Sequence, residues 1–325
     1  MILAGDVGGT KTNLAYFVAE GQSLTPTLVK SYPSQQYRSL NEVVQRLLSE
    51  HPAEISAAAF GIAGPVVDGR SKLTNLGWEV DSREVAALLK LHSVGLVNDL
   101  QATAYGTLRL SHQEKLVLNA GVPQPHAPIA VIAAGTGLGE GALIWDGRRY
   151  RAIPSEGGHT DFGPRNEVEI ELLRFLTKKF GRVSYERIVA GPGIVNLYEF
   201  FRSRANSPEP PWLRERIAAG DPSAAISQAG MDGADPVCVE VLTTFASLYG
   251  AEAGNLALKI LATGGVYVGG GIAPKILPII KQHFIEAFTT KGRYSNLMKQ
   301  MPVYIVLNDK TALVGAAHYA LVMND

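Results

Sequence analysis

A single cysteine, Cys238, occurs in 325 residues, so no intrachain disulfide can form and the chain reads as one suited to a reducing compartment. Its neighbours in PVCVEVL are apolar, which marks a buried free thiol; reactive thiols sit in electropositive, exposed surroundings. Charge of one sign is also lacking. Thirty Lys and Arg balance 30 Asp and Glu, no dense basic run occurs, and the electrostatic footprint of a nucleic-acid binder is missing. No segment approaches the ~20 apolar residues of a membrane span. The opening MILAGDVGGT has neither a basic region nor a sustained apolar run of the export type, so a protein beginning at Met1 in the cytoplasm is expected. The proline-rich stretch SRANSPEPPW is read as a surface loop and not a linker because helical patterns continue beyond it. Charged residues at 18% and hydrophobic ones at 46% are near globular averages, which excludes wholesale disorder.

The length exceeds what one core usually supports, so two domains or one large α/β unit are expected. ILAGDV and NLAYFVAE read as antiparallel strands around the Gly8-Gly9 turn, with TLVKSY a third. Ser39 with Glu42 forms a capping box for a helix through Leu48, and AAAFGIAG follows as a buried strand. Asp81 with Glu84 opens a helix to about Leu91. SVGLVND is a strand whose polar end, Asn98 and Asp99, passes into helical LQATAYGTLRL; strand C-termini of α/β sheets are where ligands usually sit. PIAVIAAGTGLGEGALIW repeats the strand, glycine turn, strand theme, and Asp146-Gly147 makes a hairpin before RRYRAI, which suggests a duplicated core. From Asn166 helices dominate: EVEIELLRFLTKKF stops at Gly181, and a long helix spans roughly Pro236 to Leu261. GVYVGGGI is a strand and turn before a helix near Lys275 to Phe288. PVYIVL and TALVGAAHYALVMN close the chain as strand and helix.

Gly5-Asp6-Val7-Gly8-Gly9-Thr10 lies between two strands, where glycines let backbone N–H groups approach a phosphate. It is neither a P-loop nor a dinucleotide fingerprint. Asp6 offers a carboxylate to a hydrated Mg²⁺, and Thr10 a hydroxyl to a phosphate oxygen. Gly135-Thr136-Gly137 is a second such turn and Gly269-Gly270-Gly271 a third. Each alone is as well read as a plain tight turn; their joint spacing favours a nucleotide lying across one lobe. Asn98, Asp99, Glu156, His159 and Glu186 all fall at strand ends or loops and together supply the donors and acceptors a polyol needs. In SEGGHTDF the Gly157-Gly158 pair lets Glu156 and His159 reach one pocket. A metal reading of His159 is weak, because no cysteine cluster accompanies it.

GDVGGTKTNLA, AAFGIAGPV, LVNDLQATAYG, AAGTGLGEG, PSEGGHTDF, YERIVAGPGIVNLYEF and GGVYVGGGIAPK, in this order from residue 2 to the C-terminus, together resemble the bacterial glucokinases of the hexokinase, actin and Hsp70 superfamily. The group resembled lacks the zinc motif of related sugar kinases and repressors, since Cys238 is the sole cysteine. The resemblance implies a two-lobed actin-like ATPase (ribonuclease H-like) α/β fold with a central cleft and a duplicated βββαβαβα-type core. A small domain would comprise 1–109 plus 300–325, and a large one 110–299. It further implies that Asn98, Asp99, Glu156, His159 and Glu186, with Gly137, hold glucose. Gly5 to Thr10 and Gly135 to Gly137 would surround the phosphates of ATP, and Gly269 to Gly271 its adenosine.

The expected chemistry is transfer of the γ-phosphoryl group of ATP to glucose as the first step of glycolysis, with Asp99 as general base and Mg²⁺ on Asp6 through water. The alternatives are a kinase for another hexose, polyphosphate as donor, or a non-catalytic sugar-sensing protein. The last would need a DNA-binding module, yet Gly5 already belongs to the first phosphate turn. The expected partner is a small molecule and neither nucleic acid nor membrane. A homodimer is the assembly the resemblance suggests, and no sequence feature specifies it.

Overall fold

The computed structural model describes residues 1–21, 23–73 and 75–323. The chain divides into two compact units: Met1–Lys115, Asp146–Pro154 and Asn308–Asp325 form one, and Leu116–Trp145 with Ser155–Leu307 the other. The excursion Asp146–Pro154 into the first unit has no signature in composition, and the sequence division at 109 and 300 does not anticipate it.

In the first unit the strands Ile2–Val7, Lys11–Glu20 and Ser23–Pro33 form an antiparallel ribbon, and Ala57–Ile62 and Gly95–Asn98 add in parallel on the other side of Ile2–Val7. The period of two sorts the opening strand: Leu3 and Val7 enter one core with Phe60, and Ile2 and Ala4 another with Ala59. Helix Leu40–Glu50 covers the first face with Leu40, Val43, Val44 and Leu47. The C-terminal helix Thr311–Val322 covers the second with Leu313, Ala316, Ala317 and Ala320. Both sets follow the i, i+3, i+4, i+7 spacing of one helical face.

The second unit repeats this arrangement. Ile129–Ala134 pairs antiparallel with Leu138–Trp145 and parallel with Gly265–Gly269, which pairs parallel with Val303–Val306. The buried phenol of Tyr249, on helix Pro236–Ile260, ties two of these strands together. It accepts from Ala134 N–H at 3.0 Å and lies 3.1 Å from the Gly269 carbonyl oxygen, to which it can donate.

Most helix starts fall where local capping chemistry places them. Ser39 accepts from Glu42 N–H, Asp81 from Arg83 N–H and Asn166 from Glu169 N–H. The box expected at Ser39 closes only on one side, because the Glu42 carboxylate reaches a residue further back, to Arg38 N–H at 2.7 Å. Several boundaries differ from expectation by a few residues. The helix expected from Lys275 starts at Leu277, with Pro278 in its first turn. The SRANSPEPPW loop ends early, since Pro211 and Trp212 open the helix Pro211–Ala219. Cys238 is buried and free, and burial pushes its thiol up to about 12. Among the described residues, no helix is long and apolar enough to cross a membrane.

Candidate functional site

In the first unit the candidate residues gather at the C-terminal ends of the parallel strands. Val7, Ile62 and Asn98 stand in register on three adjacent strands, so the Gly8-Gly9 turn and Asn98 lie about 10 Å apart at ~4.8 Å per strand spacing. Asp6 faces Asn13 across the hairpin and accepts from its Nδ2 at 3.3 Å. Burial raises the Asp6 pKa, an effect that Asn13 only partly offsets. The hairpin is pinned by Ser34, whose hydroxyl donates to Gly8 O at 2.8 Å and whose N–H donates to Thr10 O at 3.0 Å. Thr10 is exposed at the tip and Val7 is buried, so of these two only Thr10 presents a side chain outward. Gly5 has a packing reason of its own, because a Cβ there would lie 2.2 Å from the Phe60 ring.

Asp99 opens the helix Asp99–Thr107, and its backbone is fixed from both sides. Asn98 caps the helix by accepting from Leu100 N–H at 2.9 Å, and Gln101 Oε1 accepts from Asn98 N–H at 3.1 Å. Asn98 Nδ2 donates to Gly64 O, and Gln101 Nε2 to Ala152 O. One Asp99 carboxylate oxygen accepts from Leu100 N–H at 2.8 Å. Gly61 lets the helix start sit against the sheet, since a Cβ there would be 2.8 Å from the Ala102 methyl.

In the second unit Glu186 Oε2 accepts from Leu138 N–H at 3.0 Å, and a Cβ on Gly137 would stand 2.5 Å from the same oxygen. Only glycine at 137 leaves room for this carboxylate. His159 Nδ1 lies 3.8 Å from Glu186 Oε1. Glu156 and His159 flank a short turn held by His159 N–H to Glu156 O, and both are exposed. Thr160 O accepts from Tyr185 N–H, which joins this turn to the segment carrying Glu186. Glu186, His159 and Gly137 therefore meet, with Glu156 at the other end of the same turn.

The turns Gly135–Gly137 and Gly269–Gly271 share the sheet edge where Ala133 and Gly269 are paired. Gly135, Thr136 and Gly271 line a cavity of about 870 Å³ wholly within the second unit, whose lining does not include Gly269 or Gly270. Its polar lining, missed from the sequence, includes Asp221, Ser223, Ser227, Gln228 and Lys275. The signal available was Asp221-Pro222, a cap and first-turn pair opening the helix Pro222–Met231. Gln101 was equally legible as the far member of an Asn-x-x-Gln box. Among the described residues no cluster of three or more His, Cys, Asp or Glu could hold a metal ion. A lone carboxylate such as Asp6 suits a hydrated Mg²⁺ that takes its other ligands from water and phosphate.

The glucokinase family model matches residues 3–323. A glucokinase of Nostoc sp. is 45% identical, over 98% of this chain and 98% of the relative. The crystal structure of a glucokinase from an Antarctic psychrotroph superposes with a TM-score of 0.89 at 31% identity, covering 100% of this chain and 99% of that one. A ROK family glucokinase from Streptomyces griseus, solved with glucose and AMPPNP, matches in fold with a TM-score of 0.66 at 22% identity, over 98% and 99% of the two chains. The α/β architecture is thus the actin-like ATPase fold of these sugar kinases.

Proposed function

Because the chain belongs to the glucokinase family, it is an enzyme that phosphorylates glucose with ATP, and we propose that Asp99 is its general base. In the step proposed, a sugar hydroxyl oxygen bonds to the γ-phosphorus, the bond to the bridging oxygen of ADP breaks, and the hydroxyl proton passes to Asp99. A sugar hydroxyl is a far weaker acid than a carboxylic acid of pKa near ~4, so the proton moves as the new bond forms and not before. The observation that carries this reading is that Asn98 and Gln101 cap the helix start where Asp99 stands, while Leu100 N–H holds one oxygen of its carboxylate. A base works only when its orientation is settled in advance.

Asn98, Asp99, Glu156, His159, Glu186 and the Gly137 backbone are assigned to glucose. Glu186 is held by Leu138 N–H with one oxygen and keeps the other towards His159, an acceptor and donor pair suited to neighbouring hydroxyls. The cavity lined by Gly135, Thr136, Gly271 and Lys275 has the size for a nucleoside, and we assign it, with Gly269 and Gly270, to adenosine. Gly5 to Thr10 face the phosphates. Asp6 would hold hydrated Mg²⁺, which when bound supplies charge neutralisation on the phosphates. The cytoplasm is the compartment proposed.

A coupled assay for ADP formation with a panel of hexoses, and with ATP or polyphosphate as donor, tests the substrate assignment. Glucose with ATP is expected to give the highest kcat/KM. A higher value for another hexose or for polyphosphate would replace it.

A further inference from the structure

Two carboxylic acids lie together beneath the turn that carries Glu156 and His159. Glu140, on the strand Leu138–Trp145, is 1% exposed, and Glu252, on the helix Pro236–Ile260, is 0% exposed. Among the described residues Oε1 of each has no hydrogen-bond partner. The second Glu252 oxygen accepts from Asn255 Nδ2 at 2.8 Å, and Lys259 Nζ stands 3.5 Å from its Oε1. The other titratable or charged groups facing the pair are Tyr185 and Lys291 beside Glu252, with Arg165 next to both, and Tyr249 beside Glu140. Lys291 is already committed to Ala251 O and Asn255 Oδ1, at 2.8 and 2.6 Å.

The Lys259 and Lys291 ammonium groups both lie beside Glu252, so ionising Glu140 as well would set a second charge in low dielectric against a like charge. One proton shared between them would turn the like-charge contact into an O–H···O bond. Glu140 also touches the turn. A Cβ on Gly157 would lie 2.2 Å from Glu140 Oε2, and one on Gly158 2.0 Å from Leu138 O. The strand bearing Glu140 is locked by its ladder with Ile129–Ala134, whereas the Gly157 end of the turn rests on short local bonds, Gly157 N–H to Ser155 Oγ and Thr160 N–H to Gly157 O, and its outward ties, Arg182 Nη2 to His159 O and Tyr185 N–H to Thr160 O, lie at the His159–Thr160 end. If a second charge forms, the turn is the part that yields.

We infer that Glu140 is a positioning residue: by sharing a proton with Glu252 it keeps the Glu156–His159 turn seated on its strand, and loss of that proton unseats the turn and weakens glucose binding. The inference rests on the assignment of Glu156 and His159 to the sugar. The direction of the Glu140 shift agrees, since burial and then the Glu252 charge raise its pKa to about 8.

Calorimetry with glucose at pH 7 and pH 9, on the full chain and its E140Q, E252Q and H159A variants, tests this. Amide exchange of Gly157 to Thr160, corrected for its intrinsic rate, is measured alongside. Either glutamine keeps a neutral hydrogen-bonding group in the pair, so one serves if the other fails to fold. The parent is expected to bind glucose about tenfold more weakly at pH 9, and each glutamine variant to change less than about threefold. Turn amides should exchange faster at pH 9 in the parent alone. Equal alkaline weakening in both glutamine variants, or none in the parent, would overturn the inference. Faster exchange in the parent with unchanged glucose affinity, and normal binding by H159A, would retain the positioning and strike the turn from the sugar site.

Discussion

Gly315 lies so close to Ala102 that a Cβ on it would stand 1.7 Å from the Ala102 carbonyl oxygen. The helix Thr311–Val322 therefore packs almost backbone to backbone on the helix that begins with Asp99. Gly106 meets Thr311 O in the same way, where a Cβ would be 2.0 Å away. The obstacle is main chain in both places, so no side chain can swing aside. Gly315→Ala should force the helices apart and cost about 1–3 kcal/mol or more, as overpacking does. A urea midpoint equal to that of the parent would show that the helices are not in this contact. Turnover should also fall in the folded fraction, because Asp99 rides on the displaced helix.

Glu186→Gln is expected to weaken glucose binding by roughly 1–2 kcal/mol, about five- to thirtyfold, because a charged acceptor becomes a neutral one in the proposed sugar site. The amide oxygen of the introduced glutamine can still accept from Leu138 N–H, so the turn at Gly137 should stay in place. Affinity for ATP, read in the same calorimeter without glucose, should be unchanged. Equal losses for both ligands would mean that Glu186 supports the fold of the region and not the sugar.

What the sequence disclosed and what it hid divide by distance along the chain. Ser39, Asp81 and Asn166 cap their helices from within one turn, and the alternation in ILAGDV shows its two faces locally. The strands of both glycine hairpins and the helices with a local cap were legible for that reason, whereas the short strands Val66–Val67, Arg70–Leu73, Trp78–Asp81 and Lys115–Asn119 and the helices Gly191–Arg204 and Pro222–Met231 were not read. Glu140 and Glu252 carry no such mark. Each is a charged residue among apolar neighbours, and their meeting depends on how the helix Pro236–Ile260 crosses the sheet. Likewise nothing local says that Gly137 is small because Glu186 lies above it. The helix Pro211–Ala219 was hidden because consecutive prolines read as loop, although Pro at the first position of a helix is favourable.

The buried pair also sets a pH dependence of stability. Burial and the Glu252 charge raise the folded pKa of Glu140 to about 8, whereas an unfolded glutamate releases its proton near ~4.3. Between these values the folded state binds the extra proton, so stability falls as pH rises, by up to ~1.4 kcal/mol per pH unit, and levels off above the folded pKa. Glu140→Gln removes that titration. Urea unfolding from pH 5 to pH 9 should show the variant losing at least ~1 kcal/mol less than the parent over this range. Parallel stability curves would mean that Glu140 is ionised in the folded protein at neutral pH.

Asp99→Asn should nearly abolish phosphorylation in a protein that folds and still binds glucose. The helix start should survive the change, because Asn98 and Gln101 cap it, and the side-chain oxygen of the introduced asparagine can still accept from Leu100 N–H as Asp99 does at 2.8 Å. An amide cannot take the proton. General-base catalysis contributes about 10²- to 10⁴-fold, on the order of 3 to 5 kcal/mol of barrier. Exchanging a charged acceptor for a neutral one should cost roughly 1–2 kcal/mol of glucose binding. Turnover should thus fall much further than affinity, and ADP release and calorimetry on one preparation measure both. A variant that keeps a tenth or more of the parent turnover would remove Asp99 from the role of base and leave it a sugar ligand alone.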